Sequence, residues 1–89
     1  MKIVIHCYKP FLKKEIYVDA LMFYPSSKTF SLMAGGYDIG DSKKWNVEKF
    51  LFCNGIHVWF PTVTEVEEFA LWLEEMNKEV QESYTKMRD

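Results

Sequence analysis

An α+β fold, an antiparallel β-meander of four to five strands with one long C-terminal helix packed on one face, is the architecture this sequence predicts. Three observations carry it: short β-branched and aromatic runs cut by turn residues up to residue 60, an Asn-Gly pair between two apolar runs, and a helical apolar stripe after Pro61. The 89 residues are 48% hydrophobic and 17% aromatic, enough for one core. Any division would leave pieces near the ~40 residues below which disulfides or metals are usually needed. The chain therefore reads as a single domain, 1–89, with sheet over 2–60 and helix over 62–87.

Taken in order, residues 2–8 (KIVIHCY) carry apolar side chains at both parities, which suits a strand buried on both sides at the centre of a sheet. Residues 15–24 alternate Ile16, Val18, Ala20 and Met22 against Glu15, Tyr17, Asp19 and Leu21, and Pro25 ends them. Residues 29–34 place Phe30, Leu32 and Ala34 opposite Thr29, Ser31 and Met33, giving a hairpin with the strand before. For residues 45–53 a helix capped by Ser42 rivals a strand, but Asn54 and Gly55 favour the hairpin by supplying the two positive φ angles of a two-residue turn. That turn sets Cys53 opposite Ile56 and Leu51 opposite Val58. Phe50, Phe52, His57 and Trp59 then share the other face.

After Pro61, Thr62 with Glu65, or Thr64 with Glu67, has capping-box spacing. Val66, Phe69, Ala70, Leu73, Met76, Val80, Tyr84 and Met87 form one stripe of the helix that follows. About 25 residues at ~1.5 Å each span roughly 38 Å, against about 20 Å for a six-residue strand. The helix end is therefore expected to overhang the sheet and expose Val80, Tyr84 and Met87.

Net charge is −2, distributed as +3 over residues 1–60 and −5 over 61–89. Ten of the eleven basic residues are lysines, and Arg88 is the only arginine. The scarcity of bidentate arginine forks and the acidity of the helix argue against nucleic acid as a partner. No apolar run reaches the ~18–20 residues of a membrane span. Two cysteines are fewer than a small secreted scaffold uses, and residues 1–14 lack the pattern of a signal peptide, so a reducing, cytoplasmic setting is expected.

His6, Cys7, Cys53 and His57 are the residue types of a zinc or thiol site, but neighbouring strand residues face opposite sides, so the four do not converge. No metal, cofactor or catalytic set is expected, and the chain reads as a non-enzyme. The loop at 34–44 (AGGYDIGDSKK) has neither nucleotide fingerprint; Gly35, Gly36, Lys43 and Lys44 could at most contact an anion or nucleotide. The helix glutamates read as its solvated face.

One helix covers one sheet face, and either side of the hairpin could be that face; the other is left to be covered by the loop at 36–44, by the overhanging helix or, as the preferred reading, by a partner. The expected function is a small non-enzymatic protein-interaction module that self-associates as a homodimer or captures another protein. Phe50, Phe52, His57, Trp59, Val80, Tyr84 and Met87 form its expected contact surface. Size and composition suit a regulator or inhibitor of a larger machine, such as a phage-encoded antagonist of a host nuclease or defence system. Two alternatives are an oligomeric small-ligand or nucleotide-binding module, and single-stranded nucleic-acid binding through sheet aromatics with lysines of residues 1–60 supplying charge.

Overall fold

The computed structural model describes residues 1–24, 26–34, 37–38 and 45–88. The α+β class and the long C-terminal helix stand as read. The strands, however, divide between two sheets: six of four to six residues and one of two. β1 (Lys2–Cys7), β2 (Leu12–Tyr17), β6 (Lys49–Phe52) and β7 (Ile56–Phe60) form the first, in the order β2-β1-β7-β6. β3 (Leu21–Tyr24), β4 (Thr29–Ala34) and β5 (Tyr37–Asp38) form the second, in the order β3-β4-β5. Helix α1 (Val63–Arg88) packs against β1, β2, β4 and β7, so it bridges the two sheets. Among the described residues, no helix is long and apolar enough to cross a membrane.

β1 takes the central place its two-sided apolarity predicts, antiparallel to β2 and parallel to β7. The parallel pairing departs from a simple meander. It brings the first strand beside the last, with Ile3 opposite Ile56, Ile5 opposite Val58 and Cys7 opposite Phe60. These six residues are all buried and join Phe30, Leu32 and Ala34 of β4 and Val66, Phe69, Leu73 and Val80 of α1 in one core. Phe69 sits at its centre, with ring centroids 4.7 Å from Phe30, 5.1 Å from Phe60 and 5.2 Å from Trp45. Trp45 and Trp72, both buried, fall outside the patterns read from the sequence.

Residues 15–24 are two strands rather than one. The Met1 ammonium donates to the Val18 carbonyl (2.7 Å) and the Val18 N–H donates back to the Met1 carbonyl (2.8 Å), ending the first ladder there. A bend at 19–20 then shifts the alternation by one residue, burying Leu21 and exposing Met22. The same bend meets the far half of α1. Asn77 donates to the Tyr17 carbonyl (3.2 Å) and accepts from the Asp19 N–H (3.2 Å), and Gln81 donates to the Asp19 carboxylate. The chain thus lengthens along the helix, to overall extents of 46 × 23 × 23 Å, and the overhang is filled from within. Val80 is fully buried, which removes it from any contact surface, and Tyr84 is half-buried.

At the other end of the helix, the Thr62 hydroxyl accepts from the Glu65 N–H (3.2 Å) and donates to the Glu65 carboxylate (3.4 Å). The first of the two capping spacings is therefore the one used, satisfying an amide that has no partner in the first turn.

Candidate functional site

The outer face of the four-stranded sheet, turned away from α1 and the core, gathers the polar and aromatic side chains of all four strands. Because successive residues alternate sides, burial of Ile3, Ile5 and Cys7 sends Lys2, Val4 and His6 outward, and burial of Ile56, Val58 and Phe60 sends out His57 and Trp59. Cross-strand register adds Lys13, Glu15 and Tyr17 from β2, opposite His6, Val4 and Lys2. From β6 it adds Lys49 opposite Trp59 and Leu51 opposite His57.

Four rings on this face share nearly one orientation. His6 and Trp59 stack with centroids 4.5 Å apart and planes 11° from parallel, and Tyr8 lies 6.4 Å from Trp59 at 14°. His57 lies 5.3 Å from His6 at 17°. Its Nδ1 is 3.1 Å from His6 Nε2, so the two imidazoles meet edge to edge in a hydrogen bond. Lys49 Nζ sits 5.3 Å from the Trp59 ring centroid, within cation–π range.

Charge on the face is mostly positive. Lys2, Lys13 and Lys49 stand against Glu15, whose carboxylate lies 3.3 Å from Lys2 Nζ and 3.6 Å from Lys13 Nζ. Lys2 foremost, with Lys13, holds the Glu15 carboxyl below its ordinary range. Burial first, then the neighbouring His57 and Lys13, hold the His6 imidazole below its ordinary value. The exposed glutamates of α1 (Glu67, Glu68, Glu74, Glu75, Glu79 and Glu82) project from the opposite side of the core.

The expected aromatic surface is thereby divided. Pairing of Phe52 with Ile56 makes Cys53, Asn54 and Gly55 a three-residue loop, with φ of 49° at Asn54 and 135° at Gly55. The two-residue turn expected from Asn-Gly gives way to this loop, and the one-residue slip moves Phe50 and Phe52 to the inner side. There Phe50 packs 4.4 Å from Phe23, and Phe52 lines an open cleft with Met1, Leu21, Met22 and Phe23. His57 and Trp59 remain outward. Gly55 also lets the start of β7 lie close to β1, since a Cβ there would sit 2.6 Å from the Lys2 carbonyl oxygen.

Met87 lies in the last helical turn with its side chain outside the described residues, as are Gly35, Gly36, Lys43 and Lys44. Cys7 is buried on the inner side and Cys53 is exposed in the loop, so neither thiol joins the histidines. Among the described residues, no group of three or more His, Cys, Asp or Glu side chains is placed to hold a metal ion. Tyr8 was not among the sequence candidates, and His6, Lys13 and Lys49, though considered there, were not placed on one face with His57 and Trp59. The unassigned second neighbour of a two-sided β1 was the one signal that pointed to them.

Compared with known proteins, the chain matches no family model, no curated protein and no solved structure.

Proposed function

We propose that the chain is a non-enzymatic binding module that holds single-stranded nucleic acid on the outer face of its four-stranded sheet. The observation that carries this reading is the near-parallel set of Tyr8, Trp59, His6 and His57 rings bordered by Lys13 and Lys49. Unpaired bases stack on such rings whatever their sequence, and lysines match the backbone phosphates. A duplex hides its base faces and gains little from them. Protein interface cores, by contrast, are depleted in lysine, whereas among the described residues this face has three lysines and only Val4, itself buried, and Leu51 as aliphatics.

Scarce arginine weighs against sequence-specific readout, which base stacking does not use, and the acidity belongs to the glutamates of α1. Those acids lie beyond a sheet-to-helix layer of roughly 10 Å and most of a helix diameter, another ~10 Å. That exceeds the ~8 Å screening length at physiological salt, so a strand on the outer face meets chiefly the lysines. Fluorescence anisotropy with labelled oligothymidine should show binding that weakens with salt, the logarithm of affinity falling with a slope of about −2 for three lysines at −0.7 each. Equal or tighter binding of a duplex, or a salt-independent affinity, would refute the reading. Absence of oligonucleotide binding combined with Trp59-dependent self-association would instead establish a protein-docking face.

A further inference from the structure

We propose that the His6–His57 pair takes up one proton, and only one, when an anionic strand occupies the outer face, so that acid tightens binding. The inference rests on the reading of this face as a single-strand-binding surface. It starts from the geometry of the bridge, His6 Nε2 to His57 Nδ1 at 3.1 Å between rings 17° from coplanar. In the neutral pair one of these nitrogens carries the hydrogen and the other offers its lone pair. A first added proton goes to the outer nitrogen of the donor ring and leaves the bridge in place, now charge-assisted and stronger. A second would need a hydrogen on both facing nitrogens, which breaks the bridge and sets two cations against each other.

The surroundings make that first proton depend on the ligand. Across from His6 on β2 stands Lys13, and across from Trp59 on β6 stands Lys49; both oppose a positive imidazole. Lys2 on β1 and Glu15 on β2 are paired with each other, leaving the one acid on the face among the described residues engaged by two lysines. Leu51, opposite His57, brings no charge, and on β1 the ring of Tyr8 lies beside Trp59. Burial first, then His57 and Lys13, favour neutral His6 in the free protein. Phosphates arriving on the face reverse that balance and raise the value in the complex. Affinity is therefore highest at low pH, below the lowered value of the free protein, and is lost as pH rises through the higher value of the complex.

The test is oligothymidine affinity at fixed ionic strength from pH 5 to 8.5 by anisotropy, because thymine does not titrate in this window. Proton uptake is counted by calorimetry in buffers of different ionisation enthalpy. With only two histidines in the chain, the imidazole NMR signals resolve both sites in the free and bound states. Affinity should rise as pH falls, with a slope approaching but not exceeding tenfold per pH unit and an uptake of at most one proton. His57→Phe should abolish the ring-to-ring bridge and change the imidazole titration of His6. Binding that is intact yet flat with pH overturns the proton coupling and leaves the binding face standing. Uptake above one proton overturns the one-proton limit. No binding at any pH overturns both the coupling and the face.

Discussion

Trp59→Ala is expected to weaken oligothymidine binding roughly 5- to 150-fold, the equivalent of the ~1–3 kcal/mol per base that aromatic stacking contributes. Trp59 is the ring on which the others converge: His6 stacks on it at 4.5 Å, Tyr8 and His57 lie 6.4 and 6.1 Å away, and Lys49 approaches it from β6. Its removal takes away a stacking surface and the support that orients His6 and Lys49. Because Trp59 is half-exposed on the outer face, with the core on the other side of the sheet, the variant should stay folded. Anisotropy together with thermal melting checks both halves of the expectation. Unchanged affinity in a folded variant would remove Trp59 from the site, and loss of several kcal/mol of stability with no specific effect on binding would make it a structural residue.

The opposite separation is expected for Phe69→Ala. Phe69 is fully buried where β4, β7, α1 and the segment before β6 meet, touching Phe30, Phe60, Trp45 and Trp72. Truncating a buried phenylalanine typically costs about 3–5 kcal/mol. A domain of this length has roughly 4–13 kcal/mol in all, at ~0.05–0.15 per residue. At about 4–8 °C per kcal/mol, the melting temperature should fall by roughly 10–40 °C. Whatever fraction stays folded should bind with wild-type affinity, since Phe69 lies on the far side of β7 from Trp59. A drop of less than about 1 kcal/mol would contradict the placement of Phe69 at the junction of the two sheets.

Features set by local patterning were legible in the sequence. The α1 stripe, its Thr62 cap, the central position of β1 and the β6–β7 hairpin all follow from spacing and turn chemistry within a few residues. The side chains that make the site depend on choices made elsewhere. Asn54 and Gly55 signal a hairpin equally well with two or three loop residues, and that single residue decides whether Phe50 and Phe52 or Lys49 and Leu51 join His57 and Trp59. The meeting of His6 with His57 needs the parallel pairing of strands about 50 positions apart, which no local pattern encodes. Val80 looked free because helix length was weighed against a straight strand. The bend at 19–20 carries the chain to the helix end and covers it. Charge was legible by segment, +3 over residues 1–60 and −5 over 61–89, and the layering adds that Lys2, Lys13 and Lys49 face away from the exposed glutamates of α1.

The most direct test of the binding face is an amide and side-chain NMR titration of the isotopically labelled protein with unlabelled oligothymidine. The Trp59 indole, the His6 and His57 rings and the backbone amides of β1 and β7 should shift together, while the exposed positions from Glu67 to Glu82 of α1 stay in place. Shifts centred on the cleft at Met1, Met22 and Phe52, shifts along the helix, or no shifts at saturating oligonucleotide would contradict this expectation.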